Sequence, residues 1–246
     1  MRPFFALAAL ALFVTHPLSS QQPKSQEEVN VLMAMQNAQS PDERIAAAQK
    51  LLTDFKDTDF KEFANYNLML AYQQKNDFEN MLLYGERTLS INPDSAGTLI
   101  SLANAIPMRT REFDLDKDEK LAKAEDFAKR ALTLIPNLSK PNPDMPDDQW
   151  LMAKKDFMAS AYESLGLVAM KRKTFPAAEE NFRKSLEITA EQTAATFFYL
   201  GQSLKEQGKK DEAVAALDQA IARGDFKMGD GRPAAATLKA EIQNAK

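Results

Sequence analysis

The chain has 246 residues, 44% of them hydrophobic, and its 35 acidic and 31 basic residues give a net charge of −4. That length accommodates one or two domains with a sizeable core, and the mild acidity argues against a nucleic-acid partner, which would need a basic face. No cysteine is present, so disulfides and thiol chemistry are excluded, and the single histidine, His16, falls in the N-terminal segment.

That segment, MRPFFALAALALFVTHPLSSQQ, has a positive start at Arg2, an apolar run from Phe4 to Val14, then Pro17, Ser19 and Ser20. This is the layout of a secretory signal peptide, with cleavage expected after Ser20. The run is shorter than the ~20 residues a membrane-spanning helix needs, which disfavours a retained anchor. The sequence therefore predicts an exported protein, periplasmic or secreted, with residues 1–20 removed and no membrane span afterwards. The mature chain would contain neither His nor Cys. Ser-His-Asp and Cys-His catalysis and imidazole or thiolate ligation are then unavailable, and no catalytic residue, metal or cofactor is expected.

Strand signals are nearly absent and helix formers abound, so the remainder reads as helices. A helix near Glu27 to Asn37 is followed by SPDERIAAAQKLLTDF, in which Ser40 is a predicted N-cap, Pro41 the first helical residue and Glu43 the partner of a capping box. Helical patterns continue through NLMLAYQQKNDFENMLLYGERTLSINP and again from Ser95 to Pro136. A Pro- and Asp-rich stretch, SKPNPDMPDDQW, precedes a long helix from about Asp147, along which Trp150, Phe157, Ala161, Leu165 and Val168 recur at helical spacing. Gly224, Gly229, Gly231 and Pro233 mark a loop before a final helix, AAATLKAEIQNAK.

The clearest internal repeat is AYESLGLVAMKRKTFPAAEENFRKSLEI. Tyr162, Leu165 and Gly166 lie on its first helix, and Phe175, Ala178, Phe182 and Leu186 on its second. FFYLGQSLKEQGKKDEAVAALDQAI repeats the pattern with Phe197, Leu200, Gly201, Gly208, Ala213, Leu217, Ala220 and Ile221. These residues resemble the tetratricopeptide repeat family, whose 34-residue helical hairpin has a large residue, Leu-Gly, Tyr, Gly, Ala, an aromatic, Ala and Pro in order. A looser copy carries Leu68, Tyr72, Asn76, Phe78, Leu89, Ile91 and Pro93, with Met69, Met81 and Thr88 in place of small residues. Another carries Leu102, Ala103, Ala124, Ala128, Ala131, Leu132 and Pro136. Pro93 and Pro136 stand farther apart than one unit allows, and the excess falls between Ile106 and Leu121.

The resemblance runs from Asn65 to Ile221 and implies an all-α fold, a right-handed superhelix of stacked antiparallel helix pairs. Residues 21–58 would form a degenerate N-terminal pair and residues 59–224 the repeats, with insertions near 107–118 and 137–158. Residues 225–246 would supply a loop and a capping helix. It also implies a concave face made by the first helix of each pair. By register that face presents Tyr66, Leu70 and Gln73, then Ile100 and Asn104, then Glu163, Leu167, Met170 and Lys171, then Phe198, Gln202 and Lys205. Aromatic, amide and Met side chains with few charges suit an extended peptide or a partner helix. The lysine and asparagine clamp by which some family members hold a C-terminal carboxylate is missing: Tyr66, Ile100, Glu163 and Phe198 occupy the register of the clamp lysine.

Other motifs have competing readings. Asp114, Asp116, Asp118 and Glu125 match the spacing of first, third, fifth and twelfth EF-hand ligands, but Glu119 replaces the turn glycine and sits in a helical pattern, where Asp116 and Glu119 would serve as a capping box. Arg223, Gly224 and Asp225 spell an adhesion tripeptide at an expected helix end, with Gly224 suited to the C′ position. Asp147 and Asp148 could be a catalytic carboxylate pair or a helix start favoured by the dipole. Trp150 could anchor a ligand or pack, and Lys171, Arg172 and Lys173 read as a solvated helix end. The expected function is a non-catalytic adaptor or assembly scaffold in the cell envelope that binds a protein or peptide. The alternatives are a calcium-regulated module using 114–125 and a carboxylate-dependent hydrolase using Asp148. The oligomeric state is not encoded in any of these features.

Overall fold

The structure, a computed structural model, describes residues 21–227 and 231–244; the expected signal peptide, residues 1–20, lies outside them. The described chain is all-α, with eleven α-helices: α1 (Gln26–Asn37), α2 (Pro41–Asp54), α3 (Lys61–Gln74), α4 (Phe78–Ile91), α5 (Ala96–Arg109), α6 (Lys117–Leu134), α7 (Asp147–Lys171), α8 (Phe175–Ile188), α9 (Ala194–Glu206), α10 (Lys210–Ala222) and α11 (Ala234–Asn244). Among the described residues the nearest thing to a strand is one isolated bridge between Lys227 and Pro233. No described helix is long and apolar enough to cross a membrane. The helices fall into two compact units: α1 to α4, α5 as far as Leu102 and the loop 137–144 form one, and the rest form the other.

In the first unit, serine caps start α1 and α2. Ser25 Oγ accepts the Glu28 N–H and Ser40 Oγ accepts the Glu43 N–H, each satisfying a donor that the helix cannot. The Glu43 carboxylate receives the N–H of Gln39 at 2.8 Å, so the reciprocal half of the expected capping box is displaced one residue ahead of Ser40. Fully buried Met35, Ala48, Leu51, Ala64 and Leu68 make the core where α1, α2 and α3 meet. Between α3 and α4, Asn76 turns the chain with φ 57° and Asp77 caps α4 by accepting the Asn80 N–H. The same left-handed step recurs at Lys173 (φ 60°) and Gly208 (φ 76°), so three hairpins share one turn geometry although only one uses glycine.

In the second unit, Phe182 of α8 and Leu217 of α10 are fully buried. They lie against glycines: a Cβ at Gly166 would stand 2.5 Å from the Phe182 ring, and one at Gly201 would stand 2.8 Å from Leu217. The 25-residue α7 carries its early turns past Trp150, which is 5% exposed and therefore packed. At the far end of the unit α11 is capped from a distance, since the Asp225 carboxylate accepts the N–H groups of Ala235 and Ala236, both at 2.9 Å. Gly224 takes φ 89° just past α10. Arg223 lies 4.4 Å over the Phe197 ring and donates to Gln192 and Gln219. All three residues of the adhesion-like tripeptide are thus occupied in joining α9, α10 and α11.

Gly166→Ala should lower stability by about 1–3 kcal/mol through overpacking, even though alanine favours helix by roughly 1 kcal/mol over glycine. Urea unfolding checks this, and an unchanged or raised midpoint would show that α7 and α8 separate without cost.

Candidate partner-binding face

The residues expected on a binding face divide between the two units. In the first, Tyr66 is 4% exposed and burial pushes its hydroxyl pKa well up. It is a core side chain of α3 and not the surface contact that its register implied. Ile100 on α5 is likewise buried, Leu70 is half-buried and Gln73 exposed. Burial of large side chains at this register leaves Gln73 as its open polar group.

The second unit brings more of them together. Asn104, on the last turns of α5, donates to Ser160 Oγ at 2.8 Å and accepts from Ser164 Oγ at 2.6 Å. Both ends of this amide are therefore spent in fastening α5 to α7, which removes the free amide the repeat register suggested. One turn along, Glu163 is half-buried on α7 and its Oε2 accepts from Thr196 of α9 at 3.2 Å. Thr196 Oγ1 is in turn 2.8 Å from Thr193 Oγ1, the N-cap of α9. With Thr196 donating to the carboxylate, Thr193 donates to Thr196. Desolvation raises the pKa of Glu163 despite this hydrogen bond. The Tyr199 hydroxyl is raised as well, first by its own burial and then by the charge of Glu163.

The remaining members lie on the same two helices, α7 and α9. Leu167 is buried and Met170 is half-buried against the core shared by α7 to α11. Lys171 donates to the Thr110 carbonyl at 2.8 Å, just past the end of α5. On α9, Phe198 meets Tyr199 at 5.4 Å and Phe226 at 5.1 Å, both edge to face. Gln202 is half-buried, and Lys205 is half-buried 3.6 Å from Glu206. Thr196 and Tyr199 were not singled out by the repeat pattern. The one signal for Thr196 is its position three residues after the cap at Thr193.

The acidic turn is built from ion pairs. Glu119 is helical, because α6 begins at Lys117, and the side chain of Asp116 makes no cap hydrogen bond. The expected Asp116–Glu119 capping box is therefore not formed; Asp116 pairs with Lys120 at 2.9 Å. Asp114 accepts from the Arg111 N–H and from Lys120, and those bonds hold its pKa below the ordinary carboxylate value. Glu125, two turns further into α6, pairs with Lys129 and Arg172. Among the described residues no group of three or more acidic or histidine side chains is arranged to hold a metal ion.

Arg172 and Lys173 are exposed at the end of α7, as expected of a solvated helix end, and all three cations have partners there. Lys171 reaches Thr110, Arg172 reaches Glu125 and Lys173 reaches Glu112 at 2.7 Å. Glu112 is also held by Lys117, and the two ammonium groups bring its pKa down to about 2. The end of α7 is consequently tied to the insertion that precedes α6. At the other end of α7, Asp148 is exposed and accepts the N–H of Gln149 at 2.9 Å.

Paired helices linked by this left-handed turn define a helical-repeat solenoid fold. Residues 157–224 match the family model of the tetratricopeptide repeat. Two solved structures share the fold. One is a thermophilic TPR protein of Thermus thermophilus, with TM-score 0.55 and 16% identity over 88% of this chain and 95% of that one. The other is PilW, a widely conserved type IV pilus biogenesis factor, with TM-score 0.57 and 18% identity over 89% of each chain. No curated protein matches the sequence. The described chain thus has the fold of a tetratricopeptide-repeat solenoid, and its residues 157–224 match the repeat itself.

Two measurements test the site's electrostatics. The folded state holds the Glu163 proton more tightly than the unfolded state, so the contribution of this group to stability is complete below its ordinary value of 4.5 and is lost as pH rises through the raised value. Glu163→Gln should therefore gain in Tm over the native chain between pH 4 and 8. A Tm difference that stays constant across that range would refute the raised pKa. In the acidic turn, millimolar calcium should leave Tm and Trp150 fluorescence unchanged, since Lys120, Lys129 and Arg172 already pair with Asp114, Asp116 and Glu125; a saturable shift would reinstate the calcium module.

Proposed function

We propose that this protein is a non-catalytic adaptor or assembly scaffold of the cell envelope, binding a peptide or partner helix on the repeat face of α7 and α9. The observation that carries this reading is that the second unit leaves side chains of mixed character half-buried on α7 and α9, Glu163 and Met170 on the one and Phe198 and Gln202 on the other. Polarizable and aromatic groups offer apolar contact at low entropy cost, and an amide with a carboxyl fixes orientation. The family match supports a protein-binding role. The likeness to a pilus biogenesis factor and the apolar run from Phe4 to Val14 support an envelope setting.

The full chain, used as bait in an envelope extract, should retain a defined partner that Phe198→Ala and Gln202→Ala each release. Recovery of the same proteins by the native chain and both variants would place binding elsewhere. In fractionated cells the mature chain should appear outside the cytoplasm and shortened by about its first 20 residues, the length of a typical signal peptide.

A further inference from the structure

The carboxylates of the second unit are treated unequally. Glu112, at the insertion, has two cations, Lys117 and Lys173. Glu125 has Lys129 and Arg172, and Glu179 has Arg183 and Lys209. Glu112 and Glu125 keep 46% and 28% of their side chains exposed, where water screens a pair and pairing contributes little, whereas Glu179, 13% exposed, is enclosed and paired as well. Glu163 is desolvated too, and its pKa is raised where that of Glu179 is lowered, because its hydrogen-bond partner among the described residues is the neutral Thr196. Lys171 is on the same helix face two turns on, ~12 Å along the axis, with its ammonium on the Thr110 carbonyl. The groups that interact with Glu163 from α9 are the neutral hydroxyl of Thr196 and the phenol of Tyr199.

A desolvated carboxylate without a counter-charge is costly, and an amide or apolar side chain of similar size would avoid that cost. The arrangement makes physical sense when the counter-ion arrives with the ligand. The Thr193–Thr196 hydroxyl chain orients one carboxylate oxygen and leaves the other for an incoming donor. Tyr199, whose hydroxyl feels the charge of Glu163, and Phe198, edge to face with it, add aromatic surface to α9 of the kind that attracts a cation's alkyl stem or guanidinium plane.

We propose that the repeat face of the second unit is a receptor for a basic side chain, a lysine or arginine of the bound segment, which pairs with the Glu163 carboxylate. The proposal rests on the peptide-binding reading of that face and adds the charge of what it binds.

A random dodecapeptide display library selected on the full-length native protein tests it. The recovered peptides should align on one lysine or arginine. Replacing that residue by norleucine, or Glu163 by Gln, should each weaken binding at least about tenfold, and the two changes together should cost little more than either alone. Glu163→Lys should bind the peptide whose basic residue is changed to Glu better than it binds the parent peptide. Peptides with no shared basic residue, or equal binding to the native protein and Glu163→Gln, would overturn the proposal. If those peptides were still released by Phe198→Ala or Gln202→Ala, the peptide-binding face would stand and only its charge preference would fall. Recovery of no peptide, or of peptides indifferent to all three positions, would remove the function proposed above and this inference with it.

Discussion

Close approach of paired helices is the constraint on which the molecule depends. At Gly85, Gly166 and Gly201 the absence of a Cβ admits Leu102, Phe182 and Leu217, which would otherwise collide with it at 2.8, 2.5 and 2.8 Å. One large side chain entering one glycine notch sets the separation and rotation of the α7/α8 and α9/α10 hairpins and the approach of α4 to α5. The alternation of small and large residues is therefore geometric before it is hydrophobic. In the second unit the same seam fixes α7 against α8 and α9 against α10. The face that α7 and α9 present beyond Glu163 and Phe198 follows from those two contacts.

Electrostatics secures what the seam leaves open. The insertion before α6 has no repeat partner to pack against, and its exposed Phe113 and Leu115 contribute nothing to the core. It is held by charge: Lys171, Arg172 and Lys173 at the end of α7 engage Thr110, Glu125 and Glu112, while Lys120 bridges Asp114 and Asp116. Each exposed pair alone contributes little, but pairs that share members form a network with a common geometry. An acidic stretch with the spacing of a metal loop is in this way satisfied by ammonium and guanidinium groups.

Local signals were legible and cross-element ones were not. Ser40 and Pro41 announce the start of α2, Asp147 the start of α7 and Gly224 the left-handed end of α10, because each acts on backbone within four residues of itself. The Gly166 and Gly201 notches were legible because the family spacing repeats them. Asp116 was misread as a cap because Lys120, also nearby, won its carboxylate. The basic run 171–173 is the exposed helix end its sequence announces, but its partners at positions 110, 112 and 125, remote in sequence, were not legible. Tyr66 and Asn104 share one cause of error. Register assigns a residue to a face of its helix, whereas neighbouring helices decide how much of that face they cover.

Glu163 shows what the combination of register and packing adds. Register alone placed an acid where relatives with a clamp would carry a lysine, and this says only that the charge is reversed. Packing adds that the acid is desolvated, oriented by a hydroxyl chain and, among the described residues, not paired with a cation, while Glu112 and Glu125 of the same unit each have two. If stability alone governed the distribution of charge, the cations would be expected where desolvation makes them worth most. Their concentration around the insertion, away from Glu163, divides the unit into a surface whose charges are already neutralised and a face whose charge is held in reserve for a ligand.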